Sequence, residues 1–329
     1  IAPALAAGNT LVIKPSEQTP SSVLKLAEIA SQAGLPAGIL NVVPGLGKTA
    51  GAALAGHGDV DMLHFTGSTQ VGRQLMVAAG QSNGKPLILE MGGKSPQIVF
   101  EDAAELPNLG AVLAGSVFYN TGQVCMAKTR LLVHENVKEQ IIASIKVETQ
   151  NVFVIGNPLD EHTTLGPIAS RRQFERVTGY LELGRQEGAD LHTLATSGVI
   201  PPSQETSGYF MQPSIFDNVK NTLRIAQEEI FGPVLSVITF STDDEAIQLA
   251  NDVKYGLAAT AWTQDLSRAR RLVSDLEAGN VEIRATTTEA AEPSGLSGEP
   301  FGASGFGIVG GLRGLDPFRR LKAVQIVTD

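Results

Sequence analysis

The chain predicts an α/β fold built on parallel sheets, and three observations carry that expectation. Short apolar runs alternate with stretches of helical spacing along most of the length. Gly, Pro and Ser/Thr/Asp signals sit at the joints between them. Strand and helix follow one another in the order that a parallel sheet with helical crossovers requires. With 329 residues there is room for two domains. An apolar share of 43% against 18% charged fits a substantial core and argues against disorder.

The chain opens inside what reads as a helix end, with Ile1 in place of an initiator Met, and so reads as a fragment. Leu11 to Lys14 reads as a buried strand. Thr19-Pro20 reads as a helix start with Thr19 as cap, and Gly34 stands where the helix should stop. A strand over Ile39 to Val43, a short helix over Thr49 to Ala55 and a strand over Met62 to Phe65 follow. A helix from Thr69 to Ala79 then leads to a strand over Pro86 to Leu89. A second α/β unit holds strands at 97–100, 130–133, 235–240 and 257–262. Its helices fall at 109–118, 137–149, 171–186 and 267–277, with one more capped by Ser241 or Thr242. Thr286 to Gly311 lacks periodicity and reads as irregular, and Lys322 to Val327 alternates as a strand would.

Net charge is -9, the pI is about 5.2, and no basic run stands out, which argues against nucleic acid and anionic membranes as partners. No apolar stretch reaches the length of a membrane span. One Cys offers no disulfide framework, and no signal peptide is visible, so a cytoplasmic setting is the expectation.

That Cys, Cys125, ends the run Phe118-Tyr119-Asn120-Thr121-Gly122-Gln123-Val124. A lone thiol is more often a small buried hydrophobe than a nucleophile. The polar, glycine-bearing run before it instead suits a turn. Glu90 ends an apolar strand before Gly92-Gly93. It reads either as a general base held in apolar surroundings or as a turn carboxylate bonded to the glycine N–H groups. Gly67 and Ser68 join a strand to a helix start, where N–H groups can face an anion such as a pyrophosphate, or where Ser68 simply caps the helix. Lys14 and Glu17 follow the first strand, at the edge where such sheets bind ligands, although the pattern alone favours two solvated turn charges. Gly45-Leu46-Gly47-Lys48-Thr49 is not a P-loop, because Val42 stands where the first Gly belongs. The histidines show no metal-ligand spacing.

Taken together these stretches resemble the aldehyde dehydrogenase superfamily of the hydrolytic, NAD(P)-dependent type. The likeness runs in order through Lys14 to Pro20, Phe65 to Thr69, Leu89 to Pro96, Gly122 to Cys125 and Glu228 to Val234. It implies a Rossmann-type cofactor domain over 1–91, incomplete in this chain, and a catalytic domain over 92–297. Residues 298–329 would form an irregular segment and an oligomerisation strand, giving a homodimer or homotetramer. It implies Cys125 as the nucleophile that forms a thiohemiacetal and then a thioester, with Glu90 as general base. It implies NAD, with NADP disfavoured by Glu17. Lys14 and Glu17 would lie at the adenosine ribose, Gly45 near the adenine, and Gly67 and Ser68 at the pyrophosphate. Glu229 and Phe231 would lie at the nicotinamide ribose.

The likeness also places one oxyanion donor, an Asn side chain, upstream of Ile1. Two readings follow for a chain lacking it: a fragment that keeps the fold without activity, or a Cys-dependent esterase without hydride transfer. The sequence departs from the family again at Asn280 to Arg284, where Glu282 and Arg284 replace the usual Trp and Asn, and at Pro300 to Gly305, which is shortened.

Overall fold

The computed structural model describes residues 1–198, 208–288 and 295–328. Two compact units emerge. One draws its described residues from 1–90, 292–299 and 305–329, the other from 91–291 and 300–304.

In the first unit, strand Leu11–Ile13 pairs in parallel with Leu40–Val42, with Leu11 opposite Leu40. The helix between them runs Ser21–Gln32. Thr19 is not its cap. Pro20 occupies that position with φ -78° and ψ -23°, already helical, so the helix starts without a side-chain cap. The predicted stop holds: Gly34 takes φ +92°, open to glycine, and its N–H bonds Ser31 O at 3.0 Å. Strands Leu63–Thr66 and Leu87–Glu90 are also parallel, joined through helix Thr69–Gln81, and Gly305–Phe306 pairs antiparallel with the far side of Leu87–Glu90. Gly305 needs its lack of a side chain, since a Cβ would stand 1.8 Å from Leu89 O.

The second unit is organised by a seven-stranded sheet. Its spatial order is Asn280–Arg284, Ala258–Trp262, Pro96–Val99, Arg130–His134, Val234–Phe240, Ser214–Asp217 and Asp190–Thr193, parallel except for the last strand. Alternation divides its side chains between two cores. Ile98, Leu132, Ile238 and Ala261 enter one, while Val99, Leu131, Val133, Val237 and Trp262 enter the other. Helices cover both faces, as a parallel sheet demands. Helices Leu109–Phe118 and Arg171–Gln186 run over the residues the pattern predicts.

Two expectations need correction. Residues 322–327 form no strand, because a strand exists only where a neighbour bonds its backbone, and none of the described segments lies alongside. Leu321, Ile326 and Val327 are fully exposed there. The stretch predicted as irregular is also not wholly so. Phe301–Gly302 pairs with Tyr255–Gly256, and Gly305–Phe306 pairs as above. Residues 289–294 of that stretch lie outside the described residues.

Candidate active site

Cys125 is half-buried and sits in a turn under backbone tension. Asn120, Thr121 and Gly122 take φ of +51°, +57° and +67° in succession, a conformation that only the glycine adopts freely. Side chains hold it. Asn120 Nδ2 donates to Gln123 O at 3.1 Å, Thr121 Oγ1 to Gly166 O at 2.9 Å, and Gln123 Oε1 accepts from Ala169 N at 2.8 Å. Gly122 lies so close to Gly232 that a Cβ would meet Gly232 O at 2.1 Å. The turn is therefore a built feature, in keeping with a thiol that does more than fill space.

The Gly92-Gly93 step lies against both sides of this site. A Cβ on Gly93 would be 2.5 Å from Cys125 O, and one on Gly92 2.6 Å from Glu229 Oε2. The N–H of Gly93 donates to Glu229 Oε1 at 3.1 Å. Cys125, Gly93 and Glu229 are thus brought together in one unit. Burial raises the Glu229 carboxyl, opposed by the Gly93 bond and by the charges of Arg176 and Lys94.

Helix Arg171–Gln186 holds the Glu228–Phe231 element. Gln173 Nε2 donates to Ile230 O and Phe231 O, each at 2.9 Å, and Arg176 donates to Glu229 O at 2.5 Å. Tyr180 Oη donates to Glu228 Oε2 at 2.7 Å. Phe231 takes φ +61°, strained for a non-glycine residue, and the twin Gln173 bonds fix its carbonyl. Nothing in the spacing of the sequence pointed to Gln173.

Lys94 and Arg130 lie beneath. Arg130 is fully buried with a partner at each guanidinium nitrogen: Nε to Lys94 O at 2.9 Å, Nη1 to Asn221 Oδ1 at 3.1 Å and Leu249 O at 2.9 Å, and Nη2 to Ala250 O at 2.7 Å. Lys94 is also buried, and its Nζ has no hydrogen-bond partner among the described residues. Burial, and secondarily the Arg130 charge, pulls its ammonium down to about 7.

The remaining predicted residues belong to the other unit. Lys14 Nζ donates to Gly45 O at 3.1 Å and lies 3.5 Å from Glu17, which brings those three together. Ser68 caps helix Thr69–Gln81, its Oγ accepting from Val71 N at 3.3 Å. Gly67 has no room for a side chain, since a Cβ would be 2.5 Å from the Phe65 ring, and its N–H donates to Glu90 O at 3.0 Å. The Glu90 carboxylate does not take the role of turn acceptor. The N–H of Met91 goes to Ser304 O, that of Gly93 goes to Glu229, and Glu90 Oε1 has no hydrogen-bond partner among the described residues. Burial pushes its carboxyl up to about 7.

Comparison with known proteins gives one answer. The aldehyde dehydrogenase family model matches residues 1–324. Betaine aldehyde dehydrogenase of Mesorhizobium japonicum is 44% identical over 99% of this chain, and aldehyde dehydrogenase 1A1 of Oryctolagus cuniculus is 41% identical over 99%. The chain spans 65% and 64% of their respective lengths. Among solved structures, the aldehyde dehydrogenase KauB from Pseudomonas aeruginosa superposes with a TM-score of 0.91 at 43% identity, over 98% of this chain and 63% of that one. The P. syringae indole-3-acetaldehyde dehydrogenase AldA, solved as a mutant with NAD+ and IAA, gives 0.90 at 44% identity, over 97% and 63%. The chain belongs to the aldehyde dehydrogenase family.

Proposed function

We propose that the protein oxidises an aldehyde to a carboxylic acid with NAD, using Cys125 as nucleophile and Glu90 as general base. The observation that carries this reading is Gly93, held between Cys125 O and the Glu229 carboxylate, which ties the nucleophile's turn to the Glu228–Phe231 element. The residues present fit the cofactor. Ser68 caps the start of helix Thr69–Gln81, and a helix start favours a pyrophosphate. Glu17, steadied by Lys14, would accept from a ribose hydroxyl and repel a 2′-phosphate, which favours NAD over NADP. NAD, when bound, would take up the hydride that leaves the substrate carbon.

The chain's own residues then account for the rest. The Cys125 thiolate attacks the aldehyde carbon, forming a C–S bond and an oxyanion, and the backbone N–H of Cys125 would donate to that oxyanion. Loss of hydride leaves a thioester on Sγ. Glu90, with its carboxyl at about 7, is suited to take a proton from water at neutral pH. The resulting hydroxide adds to the thioester carbonyl carbon, forming a C–O bond, and the C–S bond then breaks, releasing the acid and the Cys125 thiolate while Glu90 keeps the proton it took. Within this reading residues 1–91 form the cofactor domain, which also supplies Glu90 from its last strand, and 92–297 form the catalytic domain with Cys125. The exposed apolar tail around Leu321, Ile326 and Val327 serves contact between subunits of a homodimer or homotetramer.

The test is to incubate the protein with NAD and a panel of aliphatic and aromatic aldehydes, following NADH absorbance beside p-nitrophenyl ester hydrolysis. NADH formation that disappears in Cys125→Ala supports the proposal. Ester hydrolysis without NADH, or silence from a folded chain in both assays, overturns it.

A further inference from the structure

The turn carrying Cys125 also holds a cation that the mechanism above does not use. The chain reverses tightly after the thiol: Ala127 N donates to Val124 O and Lys128 N to Ser116 O, each at 3.1 Å. Lys128, three residues after Cys125, does not extend into water. Its Nζ folds back to donate to Met126 O at 3.1 Å, the carbonyl of the residue next to the thiol.

Glu282 acts on this ammonium through its charge. It stands opposite Thr260 in the sheet and accepts from Thr260 Oγ1 at 3.4 Å. Arg284 holds Glu282 from the other side, with its Nη1 3.4 Å from Oε1. Arg284 is itself fixed over the Trp262 ring at 4.8 Å and donates to Thr288 O at 2.9 Å. Across the turn, beyond Gly93, lie Glu229 and Lys94.

We propose that Lys128, folded back against the Cys125 turn through Met126 O, is a positioning residue whose charge sets the thiolate fraction of Cys125. The inference deepens the function proposed above and rests on it for its biological meaning, though not for its test. Loss of solvent pulls the Lys128 ammonium down to about 8, while Glu282 and the Cys125 thiolate hold it up. That places its titration in the range of an ordinary thiol. The attraction is reciprocal: an ammonium steadied by a thiolate steadies that thiolate in return.

Cys125 is the only cysteine of the chain, so its alkylation can be read without ambiguity. The experiment follows the rate of iodoacetamide alkylation from pH 6 to 10 in wild type, Lys128→Gln, Lys128→Met and Lys128→Arg. Unchanged circular dichroism melts confirm folding. Gln keeps a donor for Met126 O and loses the charge, so it serves if the Met variant does not fold. The midpoint rises by about one pH unit in Lys128→Gln and Lys128→Met. Below both midpoints the thiolate falls about tenfold and the rate about threefold, because the less acidic thiol is intrinsically the better nucleophile. Lys128→Arg keeps the wild-type midpoint. An unmoved midpoint in the neutral variants overturns the proposal, as does an Arg variant shifted as far as the Gln variant. The assay needs neither NAD nor aldehyde. A shifted midpoint in a protein that forms no NADH would therefore uphold this inference while removing the proposed function.

Discussion

Gly93 donates its backbone N–H to Glu229 at 3.1 Å while its Cα faces the carbonyl of Cys125, with no space for a methyl group between them. This one residue fixes the spacing between the Cys125 turn and an acidic side chain that arrives from far along the sequence. The local reason is the strand end: after Leu87–Glu90 the chain crosses to Pro96–Val99, and Gly92-Gly93 lets it pass where any Cβ would collide.

Gly93→Ala should therefore disturb the site directly. Its Cβ would stand 2.5 Å from Cys125 O, a backbone atom that cannot rotate away, and 3.4 Å from Leu257. Overpacking of this kind costs about 1–3 kcal/mol. The expected outcome is a lower midpoint in urea together with an altered Cys125 alkylation rate. Wild-type values in both would show that the contact yields without consequence.

Arg130→Met tests the support beneath the site. The substitution keeps bulk but leaves Lys94 O, Leu249 O, Ala250 O and Asn221 Oδ1 without their present donor. Each buried acceptor left unpaired costs about 1–3 kcal/mol before relaxation. A loss of roughly 3 kcal/mol or more in urea unfolding is expected. A loss under about 1 kcal/mol would mean that water replaces the guanidinium.

Lys94→Met has the opposite expectation, although Lys94 lies beside Arg130. Its amine is buried with no hydrogen-bond partner among the described residues and titrates at about 7 in the fold against 10.5 ordinarily. Between those values the unfolded chain binds the extra proton, so wild-type stability rises with pH from about 7 to 10.5 and is lost as pH falls through that window. The Met variant lacks this slope and should be the more stable protein near pH 7, as read by melts at pH 7 and pH 9.5. Equal slopes in the two proteins would show that Lys94 keeps an ordinary titration.

The sequence made some parts of this molecule readable and hid others for physical reasons. Helices Leu109–Phe118 and Arg171–Gln186 were legible from start to end, and so were the apolar central strands, because buried parallel strands read as unbroken apolar runs. The strands of the seven-stranded sheet missed were Asp190–Thr193, Ser214–Asp217 and Asn280–Arg284. The first and last are the sheet's edges, half-solvated and carrying Asp190, His192, Glu282 and Arg284, so their pattern resembles a loop. In the candidate site, Cys125 and Glu90 stood out as candidates through a thiol after a polar turn and a carboxylate after an apolar strand, and the resemblance, not the local pattern, gave them their proposed roles. Gln173, Lys128 and the partner of Glu229 were not, because each acts through a contact that only the folded chain makes. The tail over 322–327 shows the converse: alternation announces a strand, but a strand forms only where a neighbour bonds its backbone, and none of the described segments does so there.

Glu90→Gln joins the proposed chemistry to stability. The Glu90 carboxyl titrates at about 7 in the fold and at 4.5 ordinarily, with burial as the cause. A general base works as the carboxylate, so the rate of acid formation should rise through about pH 7 and then level off. The Gln variant should lose about 10²–10⁴ in turnover together with that inflection. Stability moves the other way. The folded chain holds the Glu90 proton more tightly than the unfolded chain, so wild-type stability is fully present below about 4.5 and is lost as pH rises through about 7. Gln carries no charge to bury, so the variant should match wild type at pH 4.5 and melt higher at pH 8. A variant that is inactive yet no more stable at pH 8 would place Glu90 in the chemistry while denying that burial raises its carboxyl. A variant with full activity and an unchanged inflection would remove Glu90 from the mechanism.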